Sequence, residues 1–206
     1  AVSMICALQL QETKETVLAV DIGTNAEIAL SCKGEISVCS APAGPAFEGA
    51  QISQGMRGEP GAIAGMHIAR QSGNILLEVI PDDKRNVYPV RGICGSGLID
   101  SIASLRQSDI LQPDGYLLCD PEEADRLGIP GYLRERITEK GFLVYLDPGG
   151  QQVCLTQKDI RQFQLAKAAV QAGIRMLLEQ KGLALQQVDR IYIAGVFGGH
   201  ISKKSA

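Results

Sequence analysis

The stretch Val17-Leu18-Ala19-Val20-Asp21-Ile22-Gly23-Thr24-Asn25-Ala26-Glu27-Ile28-Ala29-Leu30 constrains this chain more than any other. Four apolar residues run into a carboxylate, the pattern of a buried strand. Gly23-Thr24-Asn25 is turn chemistry, and Ile28 and Leu30 resume the apolar pattern. Lys33-Gly34 supplies a second turn, after which Glu35-Ile36-Ser37-Val38-Cys39 alternates as a third strand should. Asp21 is therefore expected at the tip of a tight β-hairpin. That tip suits phosphate, because Gly23 lets the backbone come close and Thr24 and Asn25 offer donors. A bare carboxylate repels an anion, so Asp21 makes sense there as a partner of Mg²⁺ or of its water shell. The alternative is a plain hairpin with ordinary turn residues.

The 206 residues suffice for one large domain or two small ones. With 23 glycines and no Trp, the chain favours tight turns and close backbone approaches over an aromatic-lined binding face. A net charge of -3 argues against non-specific nucleic-acid binding, which needs a basic surface. Cys6, Cys32, Cys39, Cys94, Cys119 and Cys154 form no Cys-x-x-Cys pair, and His67 and His200 lie far apart. A zinc or iron–sulfur site within the chain is not expected, and scattered thiols fit a reducing, cytoplasmic setting. No apolar run approaches the ~20 residues that span a bilayer, so no membrane partner is expected. The chain opens on Ala1-Val2-Ser3 and stops after Lys203-Lys204-Ser205-Ala206, the mark expected of a fragment.

Residues 1–16 read as a linker or the end of a preceding domain, with an edge strand or short helix. In Ser40-Ala41-Pro42-Ala43-Gly44-Pro45-Ala46-Phe47-Glu48-Gly49-Ala50, two prolines and two glycines shape a loop that Phe47 anchors in the core. Glu48 reads as a solvated loop acid or as a group reaching the metal or the attacking water. Two strands are expected within residues 61–81, joined at Gln71-Ser72-Gly73-Asn74. Gly92-Ile93-Cys94-Gly95-Ser96-Gly97 reads as a glycine-rich loop entering a helix at Leu98, an anion site through free N–H groups and the helix dipole. An ordinary glycine-bearing turn is the alternative. Residues 107–141 read as a polar surface insertion. Asp147-Pro148-Gly149-Gly150 is a hairpin turn explained by its own geometry. Thr156 as N-cap with Asp159 at the capping-box position opens a helix that ends at Lys181-Gly182. Val188 to Ala194 is a strand running into Gly195-Val196-Phe197-Gly198-Gly199, where an α/β sheet brings backbone against a ligand.

These glycine-rich tips, in this order, resemble the acetate and sugar kinase/Hsp70/actin nucleotide-binding superfamily. Val17 to Asn25 resembles its first phosphate loop and Ile193 to Gly199 its adenosine loop. More closely, Asp21-Ile22-Gly23-Thr24-Asn25, the loop 43–49, Gly92 to Asp100 and Thr156-Gln157-Lys158-Asp159-Ile160-Arg161 look like the C-terminal domain of the ATP-dependent reductive activators of corrinoid proteins, over about residues 16–201. The resemblance implies an α/β fold of the actin-like, ribonuclease H-like nucleotide-binding type over 17–206, with mixed sheets and flanking helices, incomplete at the C-terminus. It implies ATP and Mg²⁺ as ligands, with Asp21 on the metal and Asp21 and Glu48 at the hydrolytic centre. The nucleotide would lie on Gly23, Thr24, Asn25, Gly95, Ser96, Gly97, Gly195, Phe197 and Gly198. The resemblance further implies a [2Fe–2S] cluster only in a separate N-terminal ferredoxin module, a corrinoid protein or corrinoid iron–sulfur protein as partner, and a homodimer. Two positions depart from the family pattern: Val196 replaces the adenosine loop's second glycine, and Ala26 stands where Gly is common. The competing functions are a non-hydrolysing partner-docking module of the same fold and a small-molecule kinase, which needs a general base beyond Glu48.

Overall fold

The computed structural model describes residues 1–69, 74–82 and 89–195. Helix α1 (Val2–Ala7) precedes three consecutive strands, β1 (Thr16–Ile22), β2 (Ala26–Cys32) and β3 (Glu35–Ala41). A 3-10 turn at Pro45–Glu48 leads to β4 (Ala62–Ile68), β5 (Ile75–Val79) and the short β6 (Gly92–Ile93). Helices α2 (Gly95–Gln107), α3 (Pro121–Arg126) and α4 (Gly131–Arg134) follow, then strands β7 (Ile137–Thr138), β8 (Gly141–Leu146) and β9 (Gln152–Leu155). The long helix α5 (Gln157–Gln180) leads to β10 (Arg190–Ala194). The residues group into two compact units: Ala1–Pro45 with the described part of Leu165–His200, and Ala46–Gln164.

The first unit holds a mixed four-stranded sheet in the order β10-β1-β2-β3. β1, β2 and β3 pair antiparallel, as the turn residues dictate, and β10 adds parallel to β1 with Asp21 beside Ala194. Alternation sorts the strands into two faces. On one face Val17, Ala19 and Ala29 pack with Met4 and Leu10, and Tyr192 and Ala194 join them. On the other, Leu18, Val20, Ile28 and Leu30 are buried, and α5 packs over Ile28. Gly173 makes that packing close. A β-carbon there would lie 2.6 Å from Ile28 Cδ1 and 3.2 Å from Cys39 Sγ. Each fully buried Leu or Ile contributes roughly 1.5–3 kcal/mol, so these two faces hold the hairpin rigidly. Reciprocal bonds tie the starts of β1 and β10: Thr16 N–H donates to Asp189 Oδ2 at 2.8 Å and Asp189 N–H to the Thr16 carbonyl at 2.9 Å.

The second unit carries two three-stranded sheets, β5-β4-β6 and β7-β8-β9. Helix α2 lies on β4, where the buried Ser104 hydroxyl donates to the Met66 carbonyl at 2.8 Å. The turn at Asp147 forms as its residues require: Gln151 N–H donates to Asp147 Oδ1 at 2.9 Å. The α5 capping box also forms, with Thr156 N–H and Oγ1–H both donating to Asp159 Oδ2 at 2.9 and 2.8 Å. The 107–141 segment is polar on its outer side and yet has a core of its own. It buries Ile110, Leu111, Leu117, Leu118, Ala124, Ile129, Leu133 and Ile137. Phe47 is buried as expected and meets Phe163 edge-on, with ring centroids 5.8 Å apart. No helix among the described residues is long and apolar enough to cross a membrane.

Candidate functional site

The hairpin tip forms where the sequence puts it. Asp21 is the penultimate residue of β1, and Gly23-Thr24-Asn25 turns the chain into β2. Asp21 is half-buried, while Thr24 and Asn25 are exposed. The loop after β3 grips this turn, since Gly44 N–H donates to the Thr24 carbonyl at 2.8 Å. The register sets Asp21 directly opposite Glu27. Glu27 is a residue the sequence reading passed over, although a three-residue turn between Ile22 and Ala26 already implies the pairing. Glu27 accepts from the Ser40 hydroxyl at 2.9 Å. Burial first, and then the Glu27 carboxylate, push the Cys39 thiol above its ordinary pKa. The Asp21 side chain makes no hydrogen bond or ion pair among the described residues. Like charges placed opposite each other across a hairpin repel. A cation held at Asp21 offsets that repulsion, so the donor set fits a hydrated Mg²⁺.

The end of β10 closes on the same carboxylate. Parallel pairing sets Asp21 beside Ala194, and the next residue, Gly195, has φ +82°. A β-carbon on Gly195 would fall 2.2 Å from Asp21 Oδ1. The first unit thus brings Asp21, Gly23, Thr24, Asn25 and Gly195 to one end of its sheet. Val196, Phe197 and Gly198 lie outside the described residues.

In the second unit, the glycine-rich run is not a loop. Gly92–Ile93 is strand β6, Cys94 is the N-cap, and α2 begins at Gly95, three residues before the expected start. Glycines are poor helix formers, so tertiary packing holds this first turn. A β-carbon on Gly97 would meet the Ile63 carbonyl oxygen at 2.1 Å, and one on Gly92 the Gln54 carbonyl oxygen at 2.5 Å. Both glycines are therefore required by neighbouring backbone, whatever ligand they meet. Cys94 is a buried space-filler, with its Sγ 3.4 Å from the Ile63 carbonyl and 3.3 Å from Ser96 Oγ. No side chain caps α2, and among the described residues no acceptor takes the N–H groups of Gly95, Ser96 or Gly97. Those donors, in buried residues at a helix N-terminus, fit an anion. Glu48 is exposed at the end of its 3-10 turn, held between buried Phe47 and Gly49. Gly49 has φ +79°, and a β-carbon there would strike the Met56 carbonyl at 2.3 Å.

The structure reveals one site-shaping carboxylate whose full role the sequence understated. Asp159 is fully buried, and besides its capping box it accepts from Ser53 N–H and Oγ–H at 2.7 and 2.9 Å. It pins the loop that follows Glu48 to the start of α5. Only the capping half of that role is written in local sequence.

A family model described as the C-terminal domain of RACo, the ASKHA domain, matches residues 15–206. The chain is 34% identical over 207 residues to the corrinoid activation enzyme RamQ of Eubacterium limosum, covering 97% of this chain and 33% of that protein. It is 28% identical over 209 residues to the Co(II) methylated amine-specific corrinoid protein reductase of Methanosarcina barkeri, covering 100% of this chain and 36% of that protein. A solved structure of a reductive activator for a corrinoid, iron–sulfur protein superposes with a TM-score of 0.79 at 34% identity, covering 99% of this chain and 31% of that one. The chain spans about a third of the length of each of these relatives.

Proposed function

Since the chain belongs to the family of C-terminal ASKHA domains of RACo and has the mixed-sheet actin-like fold, we propose that it is the ATP-binding and ATP-hydrolysing domain of a reductive activator. In that activator, ATP drives low-potential electron transfer to a Co(II) corrinoid protein of methyl transfer. The observation that carries the reading is the Asp21 carboxylate: half-buried, opposite a second carboxylate, and without a protein partner among the described residues. Bound Mg²⁺ would supply charge neutralisation on the phosphates. Asp21 would hold the ion's water shell, and the backbone and side chains of Gly23, Thr24 and Asn25 would orient phosphate oxygens. The N–H groups of Gly95, Ser96 and Gly97 would donate to phosphate. Gly195, Phe197 and Gly198 would form the wall against the base, and Glu48 would orient the attacking water. A [2Fe–2S] cluster in a separate module, homodimerisation and a cytoplasmic setting belong to the same proposal.

Asp21→Asn is expected to remove the gain in ATP affinity that Mg²⁺ confers while leaving the melting temperature close to wild type. Calorimetric titration with and without Mg²⁺ measures this. The loss should be at least about tenfold, or ~1.4 kcal/mol. Unchanged Mg·ATP binding would remove Asp21 from the metal site, and loss of folding would make it a structural residue. A second replacement probes the other unit. Gly95→Val is expected to weaken ATP and ADP binding much more than adenosine binding, because it obstructs donors that meet phosphate alone. Equal losses for all three ligands would make the α2 N-terminus a packing element only.

A further inference from the structure

We propose that Gly195 is a positioning residue for Asp21: its missing β-carbon is the space in which the metal-side carboxylate is held. This rests on the reading of Asp21 as the Mg²⁺ partner and adds a residue that acts through it. Three observations carry it. The parallel pairing of β1 and β10 sets Ala194 beside Asp21, so Gly195 lies at the end of the same sheet row. The position that a β-carbon of Gly195 would take lies 2.2 Å from Asp21 Oδ1 and 3.2 Å from its carboxyl carbon, and real β-carbons essentially never come within 3.0 Å. The Asp21 carboxylate has no hydrogen bond among the described residues to fix its direction. What sets its direction is therefore space and charge. The Gly195 backbone lies against one side of it, and Glu27 repels it across the hairpin.

A side chain at Gly195 would turn the carboxylate out of that space. The part of the loss that depends on Mg²⁺ would come from the displaced carboxylate, separately from any contact Gly195 makes with the base.

The test uses the full-length protein and measures ATP affinity by calorimetry with saturating Mg²⁺ and again in chelator. In wild type the ratio of the two affinities defines the magnesium advantage. Gly195→Ala is expected to cut that advantage by about tenfold, over and above whatever ATP affinity in chelator loses through the base wall that Gly195 shares, because the ratio cancels a loss common to both conditions. In Asp21→Asn protein, which has already lost the advantage, adding Gly195→Ala should change the ratio no further. A magnesium advantage retained in Gly195→Ala overturns the positioning role alone. No magnesium advantage in wild type overturns both this role and the reading of Asp21 beneath it. An equal loss with and without Mg²⁺ also overturns the role, since Gly195 would then act on the nucleotide directly. The melting temperature is followed in parallel, with Gly195→Ala made both in wild type and in Asp21→Ala protein, where the new β-carbon meets no carboxylate. The backbone strain of φ +82° falls equally on both, so a larger drop in wild type supports the shared space and equal drops overturn it.

Discussion

Replacing Asp159 with alanine is expected to destabilise the unit that contains it by about 3–5 kcal/mol, more than any substitution at the proposed ligand site. The carboxylate is fully buried and accepts four hydrogen bonds, two from Ser53 and two from Thr156, all between 2.7 and 2.9 Å. Loss of a helix cap alone costs about 1 kcal/mol. The larger figure follows because alanine would leave two backbone N–H groups and two hydroxyls without their acceptor, each costing about 1–3 kcal/mol where water cannot reach it, with the exposed Ser53 at the lower end. The hydroxyls can rotate to other partners, and the N–H groups cannot. In a domain of this size 1 kcal/mol moves the melting temperature by about 2–4 °C, so the shift should exceed about 6 °C. Asp159→Asn keeps the shape and one acceptor oxygen but turns an amide toward donors, and it should fall between alanine and wild type. Thermal and urea unfolding followed by circular dichroism measure both. An alanine variant within about 1 kcal/mol of wild type would mean that the loop at Ser53 is held by something else.

Gly97→Ala sets two effects of opposite sign against each other, and their magnitudes decide the outcome. In an exposed helix the change from glycine to alanine would stabilise by about 0.8–1 kcal/mol. Here the added β-carbon would sit 2.1 Å from the Ile63 carbonyl oxygen and 2.8 Å from its carbon. Both atoms are backbone of a central strand, so no flexible side chain can swing aside, and α2 must lift from β4. Overpacking of that kind costs about 1–3 kcal/mol and at times more. It also draws the Ser104 hydroxyl away from the Met66 carbonyl. The net expectation is a loss of about 2 kcal/mol, read as a lower urea midpoint at unchanged slope. A stabilised variant would show that α2 is not seated on β4 as described. The result also bears on function. A destabilised Gly97 variant says nothing about phosphate, and the ligand test on this helix therefore belongs at Gly95.

Much of this protein was legible in the chain because it rests on interactions spanning only a few residues. The alternation of β1 to β3, the turns at Gly23 and Lys33, the Asp147 hairpin and the Thr156–Asp159 box depend on local periodicity and turn chemistry, and each forms where its residues stand. Composition misled where a segment has an outside and an inside. The acids and turns of 107–141 are real, and so are the leucines they surround, which only a folded neighbourhood could show to be buried. The glycines followed the same division. Local reading made the run 92–97 a loop, because glycine disfavours helix. Yet Gly97 is helical, since only a residue without a β-carbon allows α2 to reach the Ile63 carbonyl. Tertiary structure alone decided the rest: β10 beside β1, Gly195 against Asp21, and Ser53 on Asp159. Each joins residues more than a hundred positions apart. The pairing depends on where the whole sheet and its packed helix carry two strand ends, and no window of sequence contains both.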